Sequence, residues 1–137
     1  MHIDVIGPIT PEGYNGHKWA ELVTDDYSRA RWVITHKEKG EASIGIQDLI
    51  TAVTKEYNYD IKAIRIDNSK EYGGNSFLSF LKKKGIRLEP IVPYTPEQDG
   101  VSERGIQTLL SRVRALAIEM ETLKRLWPEL LQGVVYI

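Results

Sequence analysis

The order of strand-like and helix-like segments constrains the fold of this 137-residue chain more than any single motif does. Alternating or β-branched apolar residues indicate strands, and apolar residues that recur every three or four positions indicate helices. The pattern predicts strands at residues 2–8, 19–26 and 29–37, a helix at 41–57, a strand at 60–67, a helix at 75–85, a strand at 86–94, and helices from about residues 101 and 126. This alternation predicts an α/β fold.

The helix between the third and fourth strands limits how those strands can be arranged. Strands 19–26 and 29–37 are joined through Asp25-Asp26-Tyr27-Ser28, which favours a hairpin. The helix that follows is long enough to cross over the sheet and to lay the fourth strand parallel to the first. We therefore predict a mixed sheet with helices on its faces, while the strand order stays open. Asn75 is predicted to cap the helix at 75–85.

Composition indicates one ordinary globular domain over residues 1–137. Apolar residues make up 42% of the chain and charged residues 27%, as in typical globular proteins. Cysteine is absent, so disulfides and thiolate zinc sites are excluded. No apolar run reaches the roughly 18 residues of a membrane span, and no secretory signal opens the chain, so we expect it to work inside the cell. The net charge is −1, but residues 61–137 are mildly basic, which is weak evidence for a phosphate-bearing partner.

Three carboxylates lie where the predicted elements could bring them together. Asp4 and Asp67 each lie near the end of a predicted strand, and Glu103 lies in the first turn of the long helix, beside its apolar stripe. If the first and fourth strands are neighbours, the two aspartates lie about 5 Å apart. At an effective dielectric constant of about 20 they would then repel by about 3 kcal/mol. Such a cluster is stable only if a cation binds it or some of the acids are protonated.

The chemistry of these residues favours the interpretation of this cluster as a magnesium or manganese site. Oxygen ligands without cysteine point to Mg²⁺ or Mn²⁺ rather than to Zn²⁺. Two such ions would suit in-line attack on a phosphodiester, because they stabilise the entering and leaving oxygens together. The residues alone leave simpler interpretations open. Asp4 and Asp67 could each accept hydrogen bonds in a turn, and the helix dipole could favour Glu103 as an acid in the first turn. Asp25-Asp26 could also hold a metal, although a turn is the simpler interpretation, and a lone His2 beside Asp4 is more often structural.

Five ordered blocks carry a resemblance to a known family. They are HIDVIGPI, TDDYSRARWV, IRIDNSKEYGG, FLSFLKKKGI and YTPEQDGVSERGIQTLLSRVRAL. In their order and spacing they resemble the catalytic cores of retroviral-type integrases, and most closely those of copia-type (pseudovirus) LTR retrotransposons. Thirty-five residues separate Asp67 from Glu103, as in the D,D-35-E triad of that family.

The resemblance implies a fold, a reaction and a set of site residues. The fold would be RNase H-like, with a five-stranded mixed sheet flanked by helices. Asp4, Asp67 and Glu103 would be the catalytic residues and would bind Mg²⁺ (or Mn²⁺), as two ions. The enzyme would be a DNA strand transferase that joins the 3′-hydroxyl ends of retrotransposon cDNA to target DNA. Asn68 and Arg104 would support the triad, and Lys70, Lys82 and Arg104 would contact DNA.

The resemblance also implies partners and a setting. Double-stranded DNA would be the substrate, and the core would form a homodimer or higher multimer, for which the apolar segment at 126–137 could supply a face. The chain would be a core excised from a longer polyprotein, with its last helix truncated, and would act in the nucleus after passage through a cytoplasmic virus-like particle. The segment Thr95–Gly100 would form a mobile loop at the active site.

Two departures from the family pattern keep a second function open. Ser69 follows Asp67-Asn68 where a glycine is usual, and Asp99 replaces the asparagine of the usual loop sequence. They favour, as the alternative, a catalytically decayed or domesticated core that serves as a dimerisation or binding module. A nuclease of RNase H type is a third possibility, which the integrase-like residues around Glu103 disfavour.

Overall fold

The computed structural model describes residues 1–66, 72–90, 96–119 and 124–135, with the backbone alone at 90 and 96–104. The strands are β1 (His2–Ile6), β2 (Trp19–Thr24), β3 (Arg31–His36), β4 (Ala63–Ile66) and β5 (Arg87–Pro90). The helices are α1 (Ala42–Tyr57), α2 (Asn75–Lys84), α3 (Pro96–Glu119) and α4 (Trp127–Val135), with short 3₁₀ turns at Lys39–Glu41 and Lys124–Leu126. All the predicted elements are therefore present in the predicted order.

The five strands form one mixed sheet with β1 at its centre. The strand order is β3-β2-β1-β4-β5. The pairs β1–β2 and β2–β3 are antiparallel, whereas β1–β4 and β4–β5 are parallel. The antiparallel pairs are joined by connections without a helix, and the parallel pairs follow α1 and α2, which return the chain across the sheet. The α/β architecture and the mixed five-stranded sheet predicted from the sequence are confirmed.

The two faces of the sheet carry separate apolar cores. One core joins Ile3, Val23, Ile64 and Ile66 of the sheet to buried residues of α1 and α2. The other joins Ala20 and Leu22 to buried residues of α3 and α4. Successive strand residues point to opposite faces, so each central strand contributes to both cores. None of the helices in the described residues is long and apolar enough to cross a membrane.

Two details of the helices differ from the sequence prediction. Asn75 is not the cap of α2: the N-cap position is Gly74, and no side chain caps the helix there. Helix α3 begins at Pro96 rather than near Val101, so residues 96–100 of the predicted active-site loop are helical, and Thr95 lies outside the described residues. Proline suits the first position of a helix, because its missing N–H has no intrahelical acceptor there.

The contact between α1 and β3 predicts the effect of a single methyl group. A Cβ atom added to Gly45 of α1 would lie 2.7 Å from Cγ2 of Ile34, close to the backbone of β3. Alanine favours helix by about 1 kcal/mol over glycine, but overpacking costs about 1–3 kcal/mol. We therefore expect Gly45→Ala to lower the free energy of unfolding by about 1 kcal/mol, measured by urea denaturation. The matched control is Gly133→Ala in α4, where no described atom outside the helix's own nearby backbone lies within 4 Å of the added Cβ, and a gain in stability is expected.

Candidate active site

Asp4 lies at the middle of the central strand, on the face covered by α3 and α4. It is half-buried, and it pairs with Leu22 of β2. Paired residues of an antiparallel ladder point to the same face, and Leu22 belongs to the core beneath α3 and α4. Its neighbour Ile3 points to the opposite core. A carboxylate therefore lies on the inner face of the sheet, at the edge of an apolar core.

Strand β4 runs beside β1 and leads directly to Asp67. The parallel register pairs His2 with Arg65 and Ile3 with Ile66. Asp4 and Asp67 are the residues that follow this last pair in the sequence. Asp67, and with it Asn68, Ser69 and Lys70, lies outside the described residues. The predicted meeting of Asp4 and Asp67 therefore stays a prediction, but its condition is met, because β1 and β4 are parallel neighbours in the sheet.

Helix α3 passes over β2 close to Asp4. Glu103 belongs to α3 by its backbone, and its side chain, like those of Asp99 and Arg104, lies outside the described residues. Two residues later, a Cβ atom placed on Gly105 would lie 3.8 Å from Cδ2 of Leu22, the residue that pairs with Asp4. The helical turn after Glu103 therefore lies against the strand beside Asp4.

The described residues include part of the predicted set of metal ligands at this face. Within the ranges that the structure describes, no three His, Cys, Asp or Glu side chains are grouped as metal ligands. Of the three predicted ligands, only Asp4 has a side chain in those ranges. Carboxylate oxygens are nevertheless the ligands that Mg²⁺ and Mn²⁺ prefer, so a metal site made from Asp4, Asp67 and Glu103 stays a prediction.

A row of ionic contacts lies next to Asp4 on the N-terminal side. His2 Nε2 lies 2.9 Å from Asp26 Oδ1, and Arg65 Nη1 lies 3.7 Å from the other oxygen of that carboxylate. Arg65 Nε donates a hydrogen bond of 2.8 Å to Glu89 Oε2, and this bond lowers the pKa of Glu89. The row links β1, β4, β5 and the hairpin turn. His2 and Asp26 therefore have structural partners. These contacts support a structural role for His2 and a turn role for Asp26, rather than metal binding.

The hairpin turn is built around Asp25, as the sequence predicts. The Asp25 carboxylate accepts hydrogen bonds from Ser28 N (2.8 Å) and from Ser28 Oγ (2.7 Å). Burial opposes the ionisation of Asp25, but these hydrogen bonds outweigh it, so the pKa of Asp25 lies below its usual value. Asp25 therefore closes a turn.

A buried polar cluster lies on the face of the sheet that α1 and α2 cover, and the sequence patterns did not predict it. Glu21, fully buried in β2, accepts a hydrogen bond from the hydroxyl of Tyr72, which is itself fully buried. His36 Nε2 lies 3.7 Å from the same carboxylate, while His36 Nδ1 donates to the Glu38 carbonyl at 2.8 Å. Tyr72 is five residues after Asp67, so this cluster fixes the chain soon after it leaves β4. Tyr72 lies 51 positions after Glu21 in the sequence, and no local sequence pattern links them.

Comparison with known proteins identifies the family. Residues 1–96 match the integrase core domain family. The whole chain is 33% identical, over 137 residues, to the Retrovirus-related Pol polyprotein from transposon TNT 1-94 of Nicotiana tabacum, and covers 10% of that protein. It is 28% identical over 116 residues to the Pro-Pol polyprotein of Simian foamy virus type 1, a match that includes 82% of this chain and 10% of the relative. The chain thus spans about a tenth of the length of these relatives.

A solved structure supports the fold independently. The chain superposes with a TM-score of 0.74 on a chain of the simian T-cell lymphotropic virus intasome, determined by cryo-electron microscopy in complex with the PP2A regulatory subunit B56 gamma. The match covers 98% of this chain and 46% of the other, at 17% sequence identity, and it shows the shared RNase H-like fold. With the sequence matches, it shows that this chain belongs to the integrase core domain family of retroviral and retrotransposon type.

Proposed function

We propose that this chain is the catalytic core of an integrase that joins 3′-hydroxyl ends of retrotransposon cDNA to target DNA. The observation that carries the proposal is the position of Asp4, on the central strand and next to the point where α3 contacts Leu22. The register of β1 with β4 holds up to Ile66, the residue before Asp67. These relations support one site made from Asp4, Asp67 and Glu103.

In this proposal the three carboxylates bind Mg²⁺ or Mn²⁺, as two ions. Asp4 lies on β1, Asp67 follows β4 in the sequence, and Glu103 would approach from α3. The bound ions would stabilise the charge on the entering and leaving oxygens. The side chains contribute negative charge and a rigid arrangement, because β1 is central and paired on both sides.

The reaction is an in-line transfer at phosphorus, with DNA oxygens as both nucleophile and leaving group. The 3′-oxygen of a cDNA end forms a bond to a target phosphorus, and the bond from that phosphorus to a 3′-oxygen of the target strand breaks. The attacking hydroxyl loses its proton to solvent, and the leaving oxygen gains one. No side chain forms a bond to phosphorus, so Asp4, Asp67 and Glu103 act by holding the ions and orienting the reacting groups.

The partners of the core follow from the same proposal. Double-stranded DNA is the substrate, and a homodimer or higher multimer is the assembly, supported by the likeness to an intasome chain. Residues 1–137 would form the core domain of a longer polyprotein, since the relatives are about ten times longer. The site of action would be the nucleus, reached from a cytoplasmic virus-like particle.

Metal binding can be tested without any DNA. We expect Mn²⁺ to stabilise the native chain, because a ligand at one hundred times its Kd adds about 2.7 kcal/mol to the free energy of unfolding. Asp4→Asn should lose most of this gain, while the exposed Asp60→Asn should keep it. Thermal unfolding at several Mn²⁺ concentrations measures the effect. An equal Mn²⁺ shift in Asp4→Asn would contradict the assignment of Asp4 as a ligand.

A further inference from the structure

Three arginines surround a cavity between the hairpin turn and the middle of α3. The cavity has a volume of about 370 Å³, and Arg29, Arg31 and Arg112 line it. Thr108 adds a hydroxyl group, and Leu109 adds an apolar wall. This cavity lies on the same face of the sheet as Asp4, because Arg31 pairs with Thr24, which follows Leu22 by two residues in β2.

The backbone fixes the position of two of these arginines. Arg29 has a φ angle of 62°, and its N–H donates to the Asp25 carbonyl at 3.0 Å inside the hairpin turn. Arg31 begins β3, and its Nη2 lies 3.5 Å from the position of a Cβ on Gly105. The Arg31 guanidinium therefore lies beside α3 at Gly105.

In the described part of the chain, the nearby acids are engaged with groups other than these arginines. Asp25 accepts hydrogen bonds from Ser28, and Asp26 contacts His2 and Arg65. Across residues 1–66, 72–90, 96–119 and 124–135, no carboxylate forms an ion pair with any of the three guanidinium groups that line the cavity. Three cations that surround one cavity repel one another and favour an anion between them. Guanidinium groups bind the oxygens of a phosphate in pairs.

We propose that this cavity binds a backbone phosphate of the DNA strand whose scissile phosphodiester lies at Asp4. The inference rests on the proposed function and adds a DNA contact to it. Along α3, Gly105 is two residues and Arg112 nine residues beyond Glu103, or about 3 and 13 Å at 1.5 Å per residue. Successive phosphates of a DNA strand are about 3.4 Å apart along the helix axis. A phosphate within about four nucleotides of the scissile one therefore reaches the cavity.

The salt dependence of DNA binding tests this contact. The probe is a short branched duplex, and the dissociation constant is measured by fluorescence anisotropy between 50 and 200 mM KCl, without divalent metal. The logarithm of the association constant falls linearly with the logarithm of the salt concentration, and the magnitude of this slope decreases by about 0.9 for each phosphate that the protein no longer neutralises. We expect Arg31→Gln and Arg112→Gln each to reduce the slope by about that amount. Arg31→Lys, which keeps the charge, should retain the slope.

Arg114→Gln is the matched control. It makes the same charge change on α3, two residues further along, at an exposed position that does not line the cavity. We expect its slope to equal that of the native chain. If Arg31→Gln and Arg112→Gln leave the slope unchanged, or if Arg114→Gln lowers it equally, the contact is refuted. Melting temperatures of the variants show whether a weaker affinity comes from unfolding.

A second measurement distinguishes a DNA phosphate from a free one. Inorganic phosphate is added at constant ionic strength, and the melting temperature of the native chain is compared with that of Arg112→Gln. A phosphate-dependent rise in the native chain alone, with unchanged DNA slopes, would assign the cavity to free phosphate and overturn the DNA contact. Because no catalysis is measured, a chain that fails to process DNA can still show the slope change. If the native chain is active but the arginine variants leave the salt slope unchanged, this inference is refuted while the proposed function stands.

Discussion

Asp4→Asn is expected to lower the rate at which the chain resolves branched DNA by on the order of a hundredfold or more. An amide keeps the size of the side chain but removes the negative charge that would bind Mg²⁺, and removing one electrostatic interaction with a transition state costs about 10²–10³ in rate. The rate is measured under single-turnover conditions with Mg²⁺ or Mn²⁺.

The exposed Asp60→Asn variant serves as the control for the removal of one carboxylate. It should keep the native rate, since Asp60 lies in the connection before β4 and contacts only Lys62 among the described residues. An Asp4→Asn variant that stays within about threefold of the native rate would remove Asp4 from the catalytic site.

Tyr72→Phe is expected to lower the free energy of unfolding by about 2 kcal/mol. The change deletes one oxygen atom, but it leaves the buried Glu21 carboxylate without the hydroxyl that donates to it. Removing one partner of a buried hydrogen bond costs about 1–3 kcal/mol. Urea denaturation followed by circular dichroism measures the difference. Tyr27→Phe, at a side chain that is 86% exposed, should change stability by less than about 0.5 kcal/mol.

The double variant Glu21→Leu/Tyr72→Phe separates a hydrogen bond from simple packing. When both polar groups are replaced, neither Glu21 nor Tyr72 leaves the other without its partner, so the double variant should be less destabilised than the sum of the two single variants. Additive effects would show that Glu21 and Tyr72 contribute independently, against the contact described above.

Much of the fold could be predicted from local sequence, because apolar periodicity reports which face of each element is buried. The alternation around Ile3, Val5 and Ile64 marks strands, and Ile46, Ile50 and Val53 mark α1. The predicted start of α3 was wrong because Glu97, Gln98, Asp99 and Gly100 contain no apolar residue, and periodicity therefore gives no signal for the first turn.

The site could be predicted in part, and its surroundings could not. Asp4 could be selected because it lies near the end of a predicted strand, and the helix at 41–57 indicated that the fourth strand runs parallel to the first, but their pairing came from the structure. Glu21 was missed because a glutamate in a strand is usually solvent-exposed, and its burial depends on Tyr72, which is distant in sequence. The pair of Arg65 with Glu89 likewise depends on the register of β4 with β5, which no local pattern determines.

The central claim is that Asp4, Asp67 and Glu103 form one catalytic site, and Asp67→Asn tests it most directly. The substrate is a Y-shaped DNA that mimics the integration product, with Mn²⁺ or Mg²⁺, and the native chain is compared with the variant at matched DNA occupancy. We predict that the native chain resolves the branch and that Asp67→Asn, although folded and bound to DNA, does not. Resolution by Asp67→Asn at the native rate would contradict the claim, and so would a native chain that binds both DNA and metal without resolving the branch.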